Sequence, residues 1–464
     1  MVMNNLNKGI GAAAIAMLVS ANAMAGQNVE QAGNETKTSA KNQTERVFSR
    51  LSIGGYGEAV MTRNFYSDNI YRYTRPYEHK DDDSHGRFDL PHVVINLGYD
   101  FGKGWTMGTE IEFEHGGTES AVEMDADESG EYEAETEKGG EVALEQFWIQ
   151  KSFGRKLNIR AGEIIVPVGA ANQYHMPNEF FTVYRPEGEA TLLPNTWHQT
   201  GVSVWGRTQN WRYEAQFLSG LDSERFGSEC FVHYGATSSY EFKIANVYAG
   251  SARVDYFGVK NLRLSASGYR GNTFKNTLRS IGSGTYKDVK GTLTIGAFDF
   301  QYKSQNFTMR GNFDWAHLDD ASLITKFNKA YPTHSGQDGS PSKHQPVASD
   351  AMCYAIETGY NVFAFSDKLT ADEQKLYVFG RYEYYNSMQK STQKSAYGWC
   401  EKNRMAIGLN YMPVKEVVVK AEFSDRFFKE TGLTYTSSNG NTYPLEYNDE
   451  PSVSIGVTYC GWFK

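Results

Sequence analysis

Charged side chains in this sequence recur at every second position and not in a catalytic grouping. Glu110, Glu112 and Glu114 fall in step, as do Arg310, Asn312 and Asp314, Arg381 and Glu383, and Lys420, Glu422, Ser424 and Arg426. A spacing of two puts such groups on one face of an extended strand. A row of mixed charge can orient or hydrogen-bond a polar solute in water. It does not assemble a nucleophile, its base and a third orienting group. His92, His115, His175 and His198 are present without a GxSxG or HExxH motif, so no enzyme is expected. Cys230, Cys353, Cys400 and Cys460 stand far apart with no CxxC and no paired His, which argues against a metal site. One disulfide among them is open in an oxidising compartment, and so are free thiols. No cofactor is expected.

The residues between those charges are apolar. Val417, Val419, Ala421 and Phe423 oppose Lys420 and Glu422; Thr109, Ile111 and Phe113 oppose the three glutamates; Met309, Gly311, Phe313 and Trp315 oppose Arg310; Val378, Gly380, Tyr382 and Tyr384 oppose Arg381. Each segment is therefore a strand with one oily and one wet side. From Leu51 onward such segments alternate between two kinds of connection. Short ones lie at 102–104, 154–156, 208–210, 259–261, 304–306 and 413–415, with a longer one at 366–374. Long polar ones lie at about 63–86, 116–140, 167–198, 220–246, 271–289, 318–350, 387–401 and 428–450. Seven short and eight long connections imply sixteen strands.

That alternation predicts an all-β fold, a 16-stranded antiparallel transmembrane β-barrel over 51–464 with short periplasmic turns and long extracellular loops. A soluble sandwich would not sort its loops by side. The 464 residues are 14% aromatic with 45 glycines, which excludes wholesale disorder. Mean hydropathy is −0.55, and no apolar run long enough for a spanning helix follows the first 25 residues. Val453, Ile455, Val457, Tyr459 and Phe463 share the lipid-facing parity of the last strand, which ends Gly461-Trp462-Phe463-Lys464. In one place the phase is broken: Leu293, Ile295 and Ala297 share parity with Asp299. A β-bulge, or a strand read in the wrong phase, is expected there.

Residues 1–25 read as a secretory signal peptide, with Lys8, an apolar stretch from Ile10 to Val19 and a small-residue cleavage site at Ala23-Met24-Ala25. Residues 26–50 are a polar periplasmic tail or linker. The third long stretch, 167–198, holds Tyr174, Met176, Phe180, Phe181, Leu192, Leu193 and Trp197. So much apolar surface in a loop that should face water predicts that it packs inward.

Arg160-Ala161-Gly162-Glu163, Pro167-Val168-Gly169, Arg185-Pro186, Pro194-Asn195-Thr196-Trp197 and Gly201 together resemble a pattern of the phosphate-selective porins of the O and P type. The motif covers a short stretch; the layout fits over 51–464. The resemblance implies an outer-membrane channel, a homotrimer, and a constriction lined by the third loop. Within it, Glu179, Arg185, Glu187 and Glu189 of the loop are expected to face Arg160, Arg310, Arg381 and Lys420 of the wall. Phosphate-selective members use a ladder of lumen arginines. Here Arg160, Arg253, Arg263, Arg310, Arg381, Lys420 and Arg426 are interleaved with Glu110, Glu112, Asp255, Asp314, Glu383 and Glu422. Interleaved signs make a transverse field and select less strongly than a ring of one sign.

Glu119 to Glu137 contains nine acids and no base, and Asp81-Asp82-Asp83 lies in the first long loop. Such runs raise local cation concentration and offer oxygen ligands to divalent ions that bridge lipid phosphates. The expected function is passive diffusion of small hydrophilic solutes or ions, phosphate or other anions among them. The expected place is the bacterial outer membrane, with its lipid and lipopolysaccharide as partners. An adhesin or structural barrel that displays its loops is the alternative. The acidic balance argues against nucleic acid.

Overall fold

Residues that alternate β-branched or aromatic with polar side chains favour strands whose two faces differ. The computed structural model describes residues 49–125, 133–237, 242–277, 281, 284–329, 346–391 and 394–463. The signal segment and nearly all of the polar tail lie outside the described residues.

The sheet closes on itself with sixteen staves. They are β1 (Leu51–Asn64), β3 (His92–Gly102), β4 (Trp105–Asp125), β5 (Glu133–Ser152), β6 (Asn158–Ile165), β7 (His198–Arg207), β8 (Trp211–Ser219) and β9 (Tyr248–Val259). The ring continues through β10 (Leu262–Asn272), β11 (Thr292–Lys303), β12 (Phe307–Leu318), β13 (Asp350–Asn361), β14 (Lys375–Lys390), β15 (Glu401–Val414), β16 (Val417–Phe428) and β19 (Ser452–Trp462). Each is antiparallel to the next. The last returns to the first in a register running from Gly54–Trp462 to Asn64–Ser452. The short β2 (Gly86–Asp89) extends the outer end of β1, and β17 (Thr434–Thr436) pairs with β18 (Thr442–Pro444) in the last long loop. Long and short connections alternate around the whole ring, as expected.

Two local expectations change. The stretch 116–140 is largely paired: β4 and β5 run past the barrel wall as a hairpin from Glu119–Gly139 to Asp125–Glu133. The hairpin tip at 126–132 and the side chains of the acidic run lie outside the described residues. At Leu293, Ile295 and Ala297 there is no bulge: β11 keeps unbroken register with both neighbours. Those three side chains point inward with Asp299 and are buried. They meet apolar residues of four inward-packed loops, among them Leu192, Leu193 and Trp197 of the third, Phe226 and Phe231 of the fourth, Phe274 of the fifth, and Ile324 and Phe327 of the sixth. The lumen is oily at that level because protein fills it. A bulge lies in β5 instead, opposite Glu110 and Ile111, and it turns Glu145 as well as Gln146 inward.

Burial runs opposite to that of a water-soluble protein. Lys420, Glu357 and Glu383 on the inner face are 0% exposed, while Ile407 and Phe298 on the outer face are 63% and 65% exposed. Similar apolar side chains, such as Val204, Phe217, Phe313, Val419 and Ile455, encircle the ring. Such an exterior is stable only against hydrocarbon, and closure leaves no unpaired sheet edge within it. The four cysteines are all free thiols, so the disulfide left open above does not form; Cys353 Sγ donates to Asp314.

Candidate functional site

The third loop, 166–197, is the element that meets the wall charges. It leaves β6 through Val166-Pro167-Val168-Gly169. Gly169 has φ +82, a left-handed backbone conformation that favours glycine, and the Glu189 carboxylate lies against it. A helical turn, Ala170–Gln173, follows; the chain then crosses the lumen to Arg185-Pro186 and a second turn, Glu187–Leu192.

Strands β13, β14 and β16 grip the loop by its backbone. Lys420 Nζ donates to the carbonyl oxygens of Pro177 (2.7 Å), Phe180 (3.1 Å) and Thr182 (2.8 Å). Among and just beyond those carbonyls, backbone N–H groups donate to wall carboxylates: Phe181 to Glu357 at 3.3 Å, Val183 to Glu422 at 2.8 Å, and Gly188 to Glu383 at 2.9 Å. An extended segment exposes donors and acceptors in turn, and the wall answers each with the opposite charge. On the other side of the barrel, Arg253 donates to the Gly169 carbonyl (3.0 Å), Ser267 Oγ accepts from its N–H (3.1 Å), and the Arg263 guanidinium lies 3.7 Å from the centre of the Tyr174 ring.

The wall charges also bind one another. Arg310 pairs with Glu357 (2.9 Å), Arg381 with Glu357 (3.5 Å) and Glu383 (2.8 Å), and Arg404 with Glu383 (3.2 Å) and with Glu422. Glu187 of the loop joins this chain to the outer loops. It pairs with Arg404 (3.1 Å) and Arg426 (2.8 Å) and accepts from the Tyr385 hydroxyl (2.8 Å). Arg426 and Arg72 then meet on Glu450.

The structure therefore places three expected wall residues, Arg310, Arg381 and Lys420, against the loop. Arg160 lies elsewhere, near the short-turn end of β6, donating to Gln150 and lying over the Trp148 ring at 4.6 Å. Of the expected loop residues, Glu187 holds the ion pairs just described. Arg185 donates to Thr196 (2.5 Å) and Tyr56 (3.2 Å) and lies 3.7 Å from Glu112. Glu189 accepts from the Ala171 N–H at 2.9 Å. Glu179 is 9% exposed in the middle of the loop. Sequence reading missed Arg404 and Glu357, although each sits on the inward parity of its strand, two residues from Ala406 and Ala355.

Burial opposes ionisation of Glu187, but Arg426 and Arg404 outweigh it and hold the carboxyl well below the usual range. Glu189 is the reverse case. Burial, reinforced by Asp314 and Asp299, pushes its carboxyl well above that range.

No family model matches the chain. A protein of Aquifex aeolicus (strain VF5), described as uncharacterized, is 26% identical over 401 residues, covering 84% of this chain and 79% of its own. Among solved structures, an anion-selective porin from Comamonas acidovorans is similar with TM-score 0.46 and 10% identity over 89% of this chain and 98% of its own. OmpT of Vibrio cholerae, in a trimer form, is similar with TM-score 0.46 and 13% identity over 89% and 100%. The outer membrane channel DcaP of Acinetobacter baumannii is similar with TM-score 0.45 and 10% identity over 89% and 97%.

Proposed function

We propose that this chain is an outer-membrane diffusion channel for small hydrophilic solutes or ions, with the 166–197 loop as its constriction. The observation that carries the reading is the inverted burial: a closed sixteen-stave ring that is oily outside and densely charged within. A barrel of this size encloses more space than its own side chains fill. The loop occupies that space, and its polar fastenings make it the element that meters passage. The resemblance of 160–201 to the O and P type porins carries the homotrimer as part of the same reading.

On ion preference, the pairing argues against a phosphate site of the arginine-ladder kind. Arg253, Arg263, Arg310, Arg381, Arg404 and Arg426 each end on at least one carboxylate. A guanidinium so engaged adds little field of its own sign. On one side of the wall Glu58, Glu112 and Glu114 outnumber the cations Arg185 and Lys420, which supports a modest preference for cations.

A second reading has its own support. Most inward side chains at the level of the loop are buried, so a barrel that stays shut and displays its outer loops fits the same arrangement. Planar-bilayer recording on the refolded chain separates the two. Stable unitary steps with a reversal potential favouring K⁺ over Cl⁻ are expected. Absence of steps from a folded, heat-modifiable sample would reject the channel in favour of display.

A further inference from the structure

One part of the inner wall carries more negative charge than its neighbours answer. Four adjacent staves bring it together. Glu112 and Glu114 lie two apart on β4; His92 of β3 is directly paired with Glu114. Glu58 of β1 lies one residue beyond the Gly57–Val93 pair, which puts it beside His92. The bulge in β5 adds Glu145, whose carboxyl stands against that of Glu112.

The geometry is compact. His92 Nδ1 lies 2.6 Å from Glu112 Oε1 and 3.9 Å from Glu114 Oε1, and one donor atom from each of the three residues falls within 4.8 Å of the others. Glu145 is 2% exposed, and its Oε2 accepts no hydrogen bond; Glu58 is 3% exposed, and neither of its oxygens does. The cation that the loop supplies is Arg185, 3.7 Å from Glu112. Lys420 faces Glu58 and is shared with three loop carbonyls. Four acids, two of them with buried oxygens that lack donors, share Arg185 and a Lys420 that is also engaged by the loop, an arrangement that a further positive charge would favour.

We propose that His92, Glu112, Glu114 and Glu145 form a binding site for a divalent transition-metal cation. An imidazole nitrogen among carboxylate oxygens suits Zn²⁺ and its neighbours. Mg²⁺ and Ca²⁺ prefer oxygen alone. The ion enters between strands fixed by the barrel, so the ligands are held in place before it arrives. Occupancy supplies the charge that Glu145 lacks and competes with Arg185 for Glu112. The site stands whether or not the barrel conducts.

The test is Zn²⁺ titration of the refolded full chain in detergent, followed by metal analysis after gel filtration. About one Zn²⁺ per chain is expected, undisplaced by equal Mg²⁺. His92→Gln and Glu145→Gln should each weaken binding about tenfold or more. Both keep side-chain volume, and heat-modifiable migration verifies their fold. Co²⁺ in place of Zn²⁺ should give a visible absorption band that His92→Gln alters. A further variant neutralises the acids of 119–137 and should bind as the parent does. No retained Zn²⁺, or retention unchanged by both single variants, overturns the site. So does retention lost only in the acid-run variant.

Discussion

Lys420 Nζ lies 2.7 Å from the Pro177 carbonyl oxygen, and the same ammonium reaches two further carbonyls of the loop, at Phe180 and Thr182. A lysine on the wall thus fastens the backbone of the constriction. Lys420→Met keeps the stem and removes all three donors, leaving three carbonyls to find water. Hydrogen bonds to a charged donor contribute about 1.5–3 kcal/mol each, so the loop should loosen there before the ring unfolds. Larger or noisier unitary conductance and a lower urea midpoint are the expected results. Conductance identical to the parent would mean that this segment does not meter passage.

Acid should test Glu187. Its folded carboxyl titrates below the unfolded value, because Arg426 and Arg404 overcome the cost of burial. The stabilisation is therefore complete above the ordinary carboxylate range and fades as pH falls through the lower folded value. Loop closure, followed as conductance against pH, should hold through pH 5 and give way only in stronger acid. In Glu187→Gln that acid transition should vanish, with a looser loop at every pH. A parent that opens at pH 5–6 would contradict the assignment.

Glu189 predicts the opposite sign. Its folded carboxyl titrates above the unfolded value, through burial and the nearness of Asp314 and Asp299. Its contribution is then most favourable in acid and is lost as pH rises through the folded value. Glu189→Gln still accepts from the Ala171 N–H. The variant should match the parent near pH 4 and exceed it in thermal stability near pH 8. A variant less stable than the parent at pH 8 would show that the charged form is favoured.

The exterior is tested at Ile407, which is 63% exposed midway along β15. Arginine at a lipid-facing midplane position costs roughly 2–4 kcal/mol. Ile407→Arg should fold into bilayers with a lower yield and a lower denaturant midpoint. Gly408→Ser, on the inner face next to it, would be an unsuitable control, because a Cβ there meets the Ala421 carbonyl at 2.1 Å. Ala406→Ser, which faces inward, is the better one and should insert normally.

The ring was legible because two local signals agree. Alternation marks each stave, and Gly, Asn and Lys mark each short turn, so counting connections gives the strand number without any long-range information. The inward packing of 167–198 was also legible, from Leu192, Leu193 and Trp197. The contacts of the site were not. Glu187 meets Arg404 and Arg426 only because the ring brings β15 and β16 beneath the third loop, and a one-dimensional pattern does not encode which charge answers which. Leu293, Ile295 and Ala297 misled for a related reason. Parity assumes that inside means wet, whereas here the fourth, fifth and sixth loops make part of the inside dry.

The register of β1 against β19 has a consequence for assembly. Gly54 faces Trp462, so the seam joins the beginning of the barrel to its end. Synthesis must have passed Trp462 before that seam can zip, and such distant pairing is slow. Until then the sheet is an open ribbon with two bare rims, each a template for a stranger's strand. Whatever receives the nascent chain has to shield both rims at once.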